Sequence, residues 1–318
     1  RIDRQERMIS MCNRIQGTTT MTGLIGYPIK ESKSPHMHNS AFKKLGLDYV
    51  YLPFETEKGA IKEALDAMRL FNVRGFNITM PHKEDVIEYL DELTEEVKII
   101  GSVNTVVNDN GKLIGHNTDG KGFAKALKLD GVNFEGKKVV VVGAGGAAKS
   151  IAIQLAFDGA VEVVIMNRTL EKAKDIANRI NKNIPDCKSR ALGLDESVLK
   201  EELKDSTLLV DCTPVGTNDT LGESIVNNLD TFHKDLFVAN IVYSPIKTKF
   251  LSMAEDMGCR NSNGIGMLIY QGELAFKLWT GKDMPVEYIK EILFNRWIWK
   301  YYLTGLSGLI FTFYDYIE

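Results

Sequence analysis

Three glycines, Gly143, Gly145 and Gly146, stand in the run VVVVGAGGAAKS. They follow four valines and precede residues of helical character. In that setting glycines permit a tight turn and close backbone approach to a pyrophosphate, and the amino end of the next helix binds the anion. Ala148 replaces the last glycine of the pattern, where only a small residue is needed for packing. The loop proposes Gly143, Ala144, Gly145, Gly146 and Ala147 as cofactor-binding residues. The next strand ends VVIMNRT, with Asn167, Arg168 and Thr169 where an acidic residue would hold a ribose diol. A carboxylate there would repel a 2′-phosphate, whereas a guanidinium can pair with it through two hydrogen bonds. Arg168 therefore argues for NADP over NAD.

Lys83 lies in FNITMPHKEDV. Thr79 reads as a helix cap, Pro81 as a first-turn residue, and DVIEYLDEL carries apolar residues at helical spacing. A lysine there faces the positive end of the helix dipole, which disfavours it mildly. Its presence asks for a chemical reason. Further polar clusters are SKSPHMHN (32–39), GSVNT (101–105), HNTDG (116–120) and YQGELAF (270–276). Taken singly each is a loop. Ser34-Pro35 is an ordinary helix start, and Asn117-Thr118-Asp119 an ordinary cap.

The elements that must position these residues alternate. TGLIGYPI, YVYLPFE and VRGFNIT read as strands, separated by HMHNSAFKKLGL and KGAIKEALDAMRLF as helices. A second block runs from GKGFAKALKL through KKVVVVGAGG, AAKSIAIQLAFDG, VEVVIMNR, LEKAKDIANRI, STLLVDCTP, LFVANIVYSP and KTKFLSMAEDMG. Strand–helix alternation is the mark of a parallel α/β layer, and Val/Ile runs apolar on both faces suit strands covered from both sides. The expected fold is α/β with two domains, the second a doubly wound dinucleotide-binding domain, and an active-site cleft between them.

Composition narrows the function classes. The 318 residues suffice for two domains, and 44% hydrophobic content provides a sizeable core. A net charge of −3 gives no electrostatic reason to expect nucleic acid or an anionic membrane as partner. Cys12, Cys187, Cys212 and Cys259 are scattered, which suits a reducing, cytoplasmic setting better than a disulfide framework. No ligand set converges for a metal: His36 and His38 are two apart, on different faces of a helix. Residues 1–20 read as an extension, disordered or introduced by cloning, with Met21 a natural start. The aromatic, apolar run at 297–318 is shorter, in its uninterrupted part, than the ~20 residues of a membrane span, and reads as an appended helix or a non-native tail.

Together and in this order the clusters and the glycine loop resemble the shikimate dehydrogenase family, from about Gly23 to Leu293. The resemblance implies NADPH-dependent, reversible reduction of 3-dehydroshikimate to shikimate in aromatic amino-acid (chorismate) biosynthesis. It assigns Ser32 and Ser34 to the substrate carboxylate, with Thr79 and Tyr243 near the same end. Asn77, Asn104 and Gln271 line the ring hydroxyls, because amides both donate and accept. Lys83 and Asp119 match the family's catalytic pair. Dipole and partial burial would depress the lysine and the carboxylate restore it, a tuned pair for carbonyl reduction. Thr213 and Gly216 of CTPVGT, with Gly264 and Met267 of the return crossing, are expected near the cofactor. The implied domains are 21–118 with 265–296 for substrate and 119–264 for nucleotide, in a monomer or homodimer.

Three rivals stand against this reading on sequence: a quinate/shikimate dehydrogenase of broader range, a non-catalytic NADPH-binding regulator, and methylenetetrahydrofolate dehydrogenase. The last should offer a pterin an aromatic stacking surface beside its lysine, and NITMPHK offers none.

Overall fold

A computed structural model of the chain describes residues 15–302. The first half builds β1 (Thr20–Gly26), α1 (Ser34–Leu45), β2 (Tyr49–Glu55), α2 (Ile61–Leu70), β3 (Gly75–Ile78), β4 (Glu92–Leu93), α3 (Glu95–Ile100), β5 (Thr105–Asp109) and β6 (Lys112–His116). The sheet order is β2-β1-β3-β5-β6-β4. β1 pairs in parallel with β2 and β3, as the alternation requires, but β5 runs antiparallel to both β3 and β6. The sheet is therefore mixed rather than purely parallel. The reason lies in VNDNGKL: Asn110 (φ 52°) and Gly111 (φ 94°) make the tight turn that joins two strands as a hairpin.

The second half builds α4 (Asp119–Leu129), β7 (Lys138–Val142), α5 (Gly146–Phe157), β8 (Glu162–Asn167), α6 (Leu170–Asn183), β9 (Lys188–Gly193), α7 (Glu196–Leu203), β10 (Leu208–Asp211), β11 (Phe237–Asn240), α8 (Lys249–Asp256) and β12 (Arg260–Ser262). All strands pair in parallel in the order β12-β11-β10-β7-β8-β9, the doubly wound arrangement. Val139 and Val141 enter one core cluster and Val140 and Val142 the other, so the valine run is covered on both faces. β9, α7 and β12 escape the alternation read from sequence. α7 is announced by Asp195, whose carboxylate accepts from the backbone N–H of Ser197 and Val198 at its start.

α9 (Ile265–Thr280) and α10 (Val286–Tyr302) return the chain to the first sheet. α9 serves both units. Met267 packs with Phe123 and Ala148, whereas Ala275, Phe276 and Trp279 pack with Leu24 and Phe42. The Trp279 indole N–H donates to the Val106 carbonyl on β5 at 3.0 Å.

The chain ends bear on two expectations. β1 begins at Thr20, and the Thr18 and Thr19 hydroxyls donate to Asp48 at 2.8 and 2.6 Å, so this part of the expected extension joins the fold. Residues 1–14, Cys12 among them, lie outside the described residues, as does the tail from 303 to 318. α10 runs past the expected boundary at 297. No helix among the described residues is long and apolar enough to cross a membrane.

Trp279 is 2% exposed and joins the return helix to the first core. Trp279→Ala is expected to cost about 3–5 kcal/mol of unfolding free energy in urea titration. A loss below about 1 kcal/mol would mean that the site collapses without a cavity.

Candidate active site

Lys83 does not stand at the start of an α-helix. The Thr79 carbonyl accepts from the His82 N–H at 3.0 Å, Met80–Pro81 is a cis bond, and Lys83 lies in the next turn, which the Val86 N–H closes onto the His82 carbonyl at 3.0 Å. A single 3₁₀ segment, Asp85–Tyr89, begins two residues later without a side-chain cap. The expectation that Thr79 caps an α-helix with Pro81 in its first turn is thus corrected. The competing demand is tertiary. Glu92–Leu93 pair with β6 as β4, which ends the helical pattern after little more than a turn.

What holds Lys83 is a carboxylate. Its Nζ donates to Asp119 Oδ2 at 2.6 Å, with side-chain exposures of 18% and 6%. Asp119 is the first residue of α4, where a negative charge suits the helix amino end. The other oxygen, Oδ1, accepts from the Asn104 amide at 2.8 Å. Asn104 Oδ1 in turn accepts from the Thr118 backbone N–H at 2.7 Å. One asparagine therefore fixes both the start of α4 and the free face of its carboxylate. The Asn104 amide also lies 3.4 Å from Gln271 Oε1 on α9.

Asn77 completes this row. Its amide donates to the Asn104 carbonyl at 3.1 Å and to the Thr105 hydroxyl at 3.0 Å. Its Oδ1 accepts from the Tyr51 phenol at 2.7 Å. Tyr51 thereby joins the network, a residue that sequence reasoning missed. Burial pushes its phenol well above the usual value, the Ser34 hydroxyl pulling the other way, so it stays a donor. Behind it His38 stacks at 4.5 Å between ring centroids, both ring nitrogens without partners. Burial lowers His38 to about 3, so the stack is neutral. The only sequence signal for Tyr51 is its place in a strand leading to the site.

Of the residues expected at the substrate carboxylate, Ser32 Oγ accepts from the Ser34 N–H at 3.3 Å, and Ser34 is buried at the start of α1. Thr79 is half-buried and its backbone N–H donates to Ile25 at the end of β1. Tyr243 is half-buried on the loop after β11, in the second unit, and burial raises its phenol. No direct hydrogen bond joins Tyr243 to Ser32, Ser34 or Thr79 among the described residues, so these two groups stand on separate elements.

The glycine loop lies against Lys83. A Cβ at Gly146 would sit 3.0 Å from Ser102 Oγ and 3.4 Å from Lys83 Cδ. Gly143 has φ 110°, and a Cβ there would meet the Cys212 backbone at 3.2 Å, so β7 and β10 end shoulder to shoulder. This is where the strand order reverses, the place beyond the carboxyl ends of the strands at which such sheets bind ligands. Gly145 is exposed with open space beside it, while Ala144 and Ala148 are buried and Ala147 partly so. Arg168 is exposed at the end of β8, and the Asn167 amide donates to the Thr169 carbonyl at 2.9 Å, shaping that turn. The donor-rich loop, the open position at Gly145 and the Arg168 guanidinium, without an ion-pair partner among the described residues, fit a phosphorylated dinucleotide. Lys149 on α5 spans the two units, 3.1 Å from Glu84 and 3.4 Å from Asp175.

Thr213 lies on the loop after β10, its N–H donating to Asp211 Oδ1 at 2.9 Å. Gly216 is in the left-handed region and Gly264 precedes α9, its N–H bonded to the Val242 carbonyl at 2.9 Å. Met267 is 8% exposed and belongs to the core that α4 and α5 share with α9. Asp211 and Asn240, unremarked in sequence, close two apolar strands with polar side chains, which is the signal they offered.

Family models match three stretches: the shikimate dehydrogenase substrate binding domain over 24–106, shikimate / quinate 5-dehydrogenase over 124–218, and the shikimate 5'-dehydrogenase C-terminal domain over 264–294. The chain is 54% identical to a shikimate dehydrogenase (NADP(+)) of Alkaliphilus metalliredigens, over 89% of this chain and 99% of that one. It superposes with TM-score 0.85 and 45% identity on a shikimate 5-dehydrogenase of Listeria monocytogenes in complex with shikimate and NAD, covering 88% of this chain and 98% of that one. A quinate dehydrogenase of Corynebacterium glutamicum in complex with NAD matches with TM-score 0.79 and 30% identity, over 87% and 99%.

Burial raises the Asp211 carboxyl from 3.8 to about 7, while hydrogen bonds to Thr213 pull it down. The folded state then binds this proton where the unfolded chain has released it. The stability that this group contributes falls as pH rises from about 4 to about 7 and is level above. Against Asp211→Asn, which lacks the titration, the wild type is expected to lose up to about 4 kcal/mol across that window in urea unfolding. Parallel curves for the two proteins would place the ionisation at its ordinary value.

Proposed function

Because the chain belongs to the shikimate dehydrogenase family, we infer that it is an NADP-dependent oxidoreductase that interconverts 3-dehydroshikimate and shikimate, the step that serves aromatic amino-acid biosynthesis. The observation that carries this reading is the 2.6 Å contact between Lys83 and Asp119, brought from distant segments to the mouth of the glycine loop.

NADPH, when bound, supplies the hydride for the ring ketone. Lys83 then gives a proton or hydrogen bond to the oxygen that becomes an alkoxide. Asp119 holds the ammonium in place, and Asn104 keeps the carboxylate turned toward it. Asn77, with its amide protons directed to Asn104 and Thr105, offers its Oδ1 as an acceptor for a ring hydroxyl, and Gln271 serves a neighbouring one. Ser32 and Ser34 donate to the substrate carboxylate without adding a counter-charge, and Thr79 and Tyr243 complete that end when the two units enclose the substrate. On the cofactor side Gly143, Ala144, Gly145, Gly146 and Ala147 receive the pyrophosphate. Asn167, Arg168 and Thr169 hold the 2′-phosphate end, and Thr213, Gly264 and Met267 border the nicotinamide end. The substrate unit is 21–118 with 265–296 and the nucleotide unit 119–264. The enzyme acts in the cytoplasm as a monomer or homodimer.

Absorbance at the nicotinamide band, with shikimate or quinate and with NADP or NAD in parallel, tests the reading. Shikimate with NADP is expected to be the preferred combination. Comparable rates with quinate would assign the broader activity, and binding of NADP without turnover a sensing role. Lys83→Ala is expected to cut turnover by roughly 10²-fold or more. Weakened binding at near-normal turnover would reduce Lys83 to a positioning residue. Arg168→Ala is expected to raise the KM for NADP by roughly 10-fold or more and leave that for NAD nearly unchanged. An equal effect on both would remove Arg168 from the 2′-phosphate site.

A further inference from the structure

At the carboxyl edge of the second sheet, Asp211 and Asn240 are register partners on the parallel strands β10 and β11. Both side chains are fully buried. Asp211 Oδ1 accepts from the Thr213 N–H at 2.9 Å, and Asp211 Oδ2 accepts from the Asn240 amide at 3.1 Å. Asn240 Oδ1 accepts from the Val242 N–H at 2.6 Å. That last bond fixes the orientation of the amide: a backbone donor needs the oxygen, so the Nδ2 must face Asp211. Every polar atom in the row is thereby given a partner of the right kind. Thr213 begins the CTPVGT loop, whose Cys212 backbone abuts the Gly143 turn. Val242 precedes Tyr243 and accepts the N–H of Gly264, the residue before α9. The row thus joins the Thr213 loop to the Val242 turn and, through the Val242 carbonyl, to Gly264 at the start of α9.

We propose that Asp211 and Asn240 form a positioning pair that sets the Thr213 loop and the Val242–Gly264 turn in the register the cofactor requires. Neither touches the reacting atoms. The inference rests on the reading of the crevice as an NADP site. Its chemical content is the complementarity of one carboxylate and one amide. Asp211→Asn keeps an oxygen for Thr213 but points an amide N–H₂ at the Asn240 N–H₂, two donors with no acceptor between them. Asn240→Asp keeps an oxygen for Val242 but sets two carboxylates face to face. Asp211→Asn with Asn240→Asp restores every bond: the new amide donates to the new carboxylate, and Thr213 and Val242 each still find an oxygen.

The test is NADPH affinity of the full chain at pH 8, by fluorescence titration, with melting temperature recorded beside it. Each single variant is expected to raise the NADPH Kd about tenfold, the cost of a buried group left unpaired. The double variant is expected within about twofold of wild type. Single variants that melt earlier but bind NADPH as tightly as wild type would overturn the proposal, leaving the pair a stability feature only. A double variant no better than the singles would overturn it as well. Should the singles be insoluble, the double decides alone: wild-type affinity supports the pair, and insolubility or weak binding overturns it. Binding is read without turnover, so a wild type that binds NADPH but does not oxidise shikimate counts against the proposed reaction and not against the pair.

Discussion

A buried carboxylate with two fixed partners organises this protein. Asp119 accepts from Lys83 on one oxygen and from Asn104 on the other, at the first residue of a helix. Removing two charges from water is costly, and a buried pair of this kind is seldom retained for stability alone. Here each partner belongs to a different element: Lys83 to the turn after β3, Asn104 to the segment before β5, Asp119 to α4. The pair can form only if the hairpin, the first sheet and the helix that leads toward the second sheet are all in place.

The remainder of the site follows from that placement. Asn104 extends the network to Asn77 and Gln271, and Tyr51 extends it to the edge of α1. The same amide that orients Asp119 also caps α4 through Thr118, so local helix geometry and the direction of the carboxylate are one constraint. On the other side, the glycine loop comes close enough to Lys83 that a Cβ at Gly146 would lie in contact with its side chain. The ammonium is thus held between its carboxylate and the place where the cofactor's phosphates are expected. Proximity of donor, acceptor and proton source is the part of catalysis that a fold can supply in advance.

Much of this was legible. The valine run and its glycines sufficed for a parallel, doubly wound sheet, because strands buried on both faces are apolar at every position. The limits of β2 were readable to the residue, because YVYLPFE is bounded by turn residues on both sides. The helix read after Thr79 was not, because nine residues of helical spacing carry too little free energy to resist a strand that claims Glu92 and Leu93. β9 and β12 lie at the edges of their sheet, where one side is unpaired and the apolar signal is weak. Tyr51, Asp211 and Asn240 were overlooked for one reason: a single polar residue in a strand looks the same whether it faces solvent or a buried partner.

The sequence by itself determined the chemistry available: a glycine-rich loop suited to phosphate, a guanidinium at the end of the next strand, a lysine without a local reason, and a set of amides and hydroxyls suited to a polyol acid. These are properties of residue type and short spacing, and they survive any arrangement of the rest. Tertiary structure decided which of them meet. Lys83 and Asp119 are 36 residues apart, and Asn104 and Gln271 are 167 apart. No local rule fixes such distances, because they depend on how two sheets and one shared helix pack, and packing is settled by the burial of whole faces rather than by any single residue.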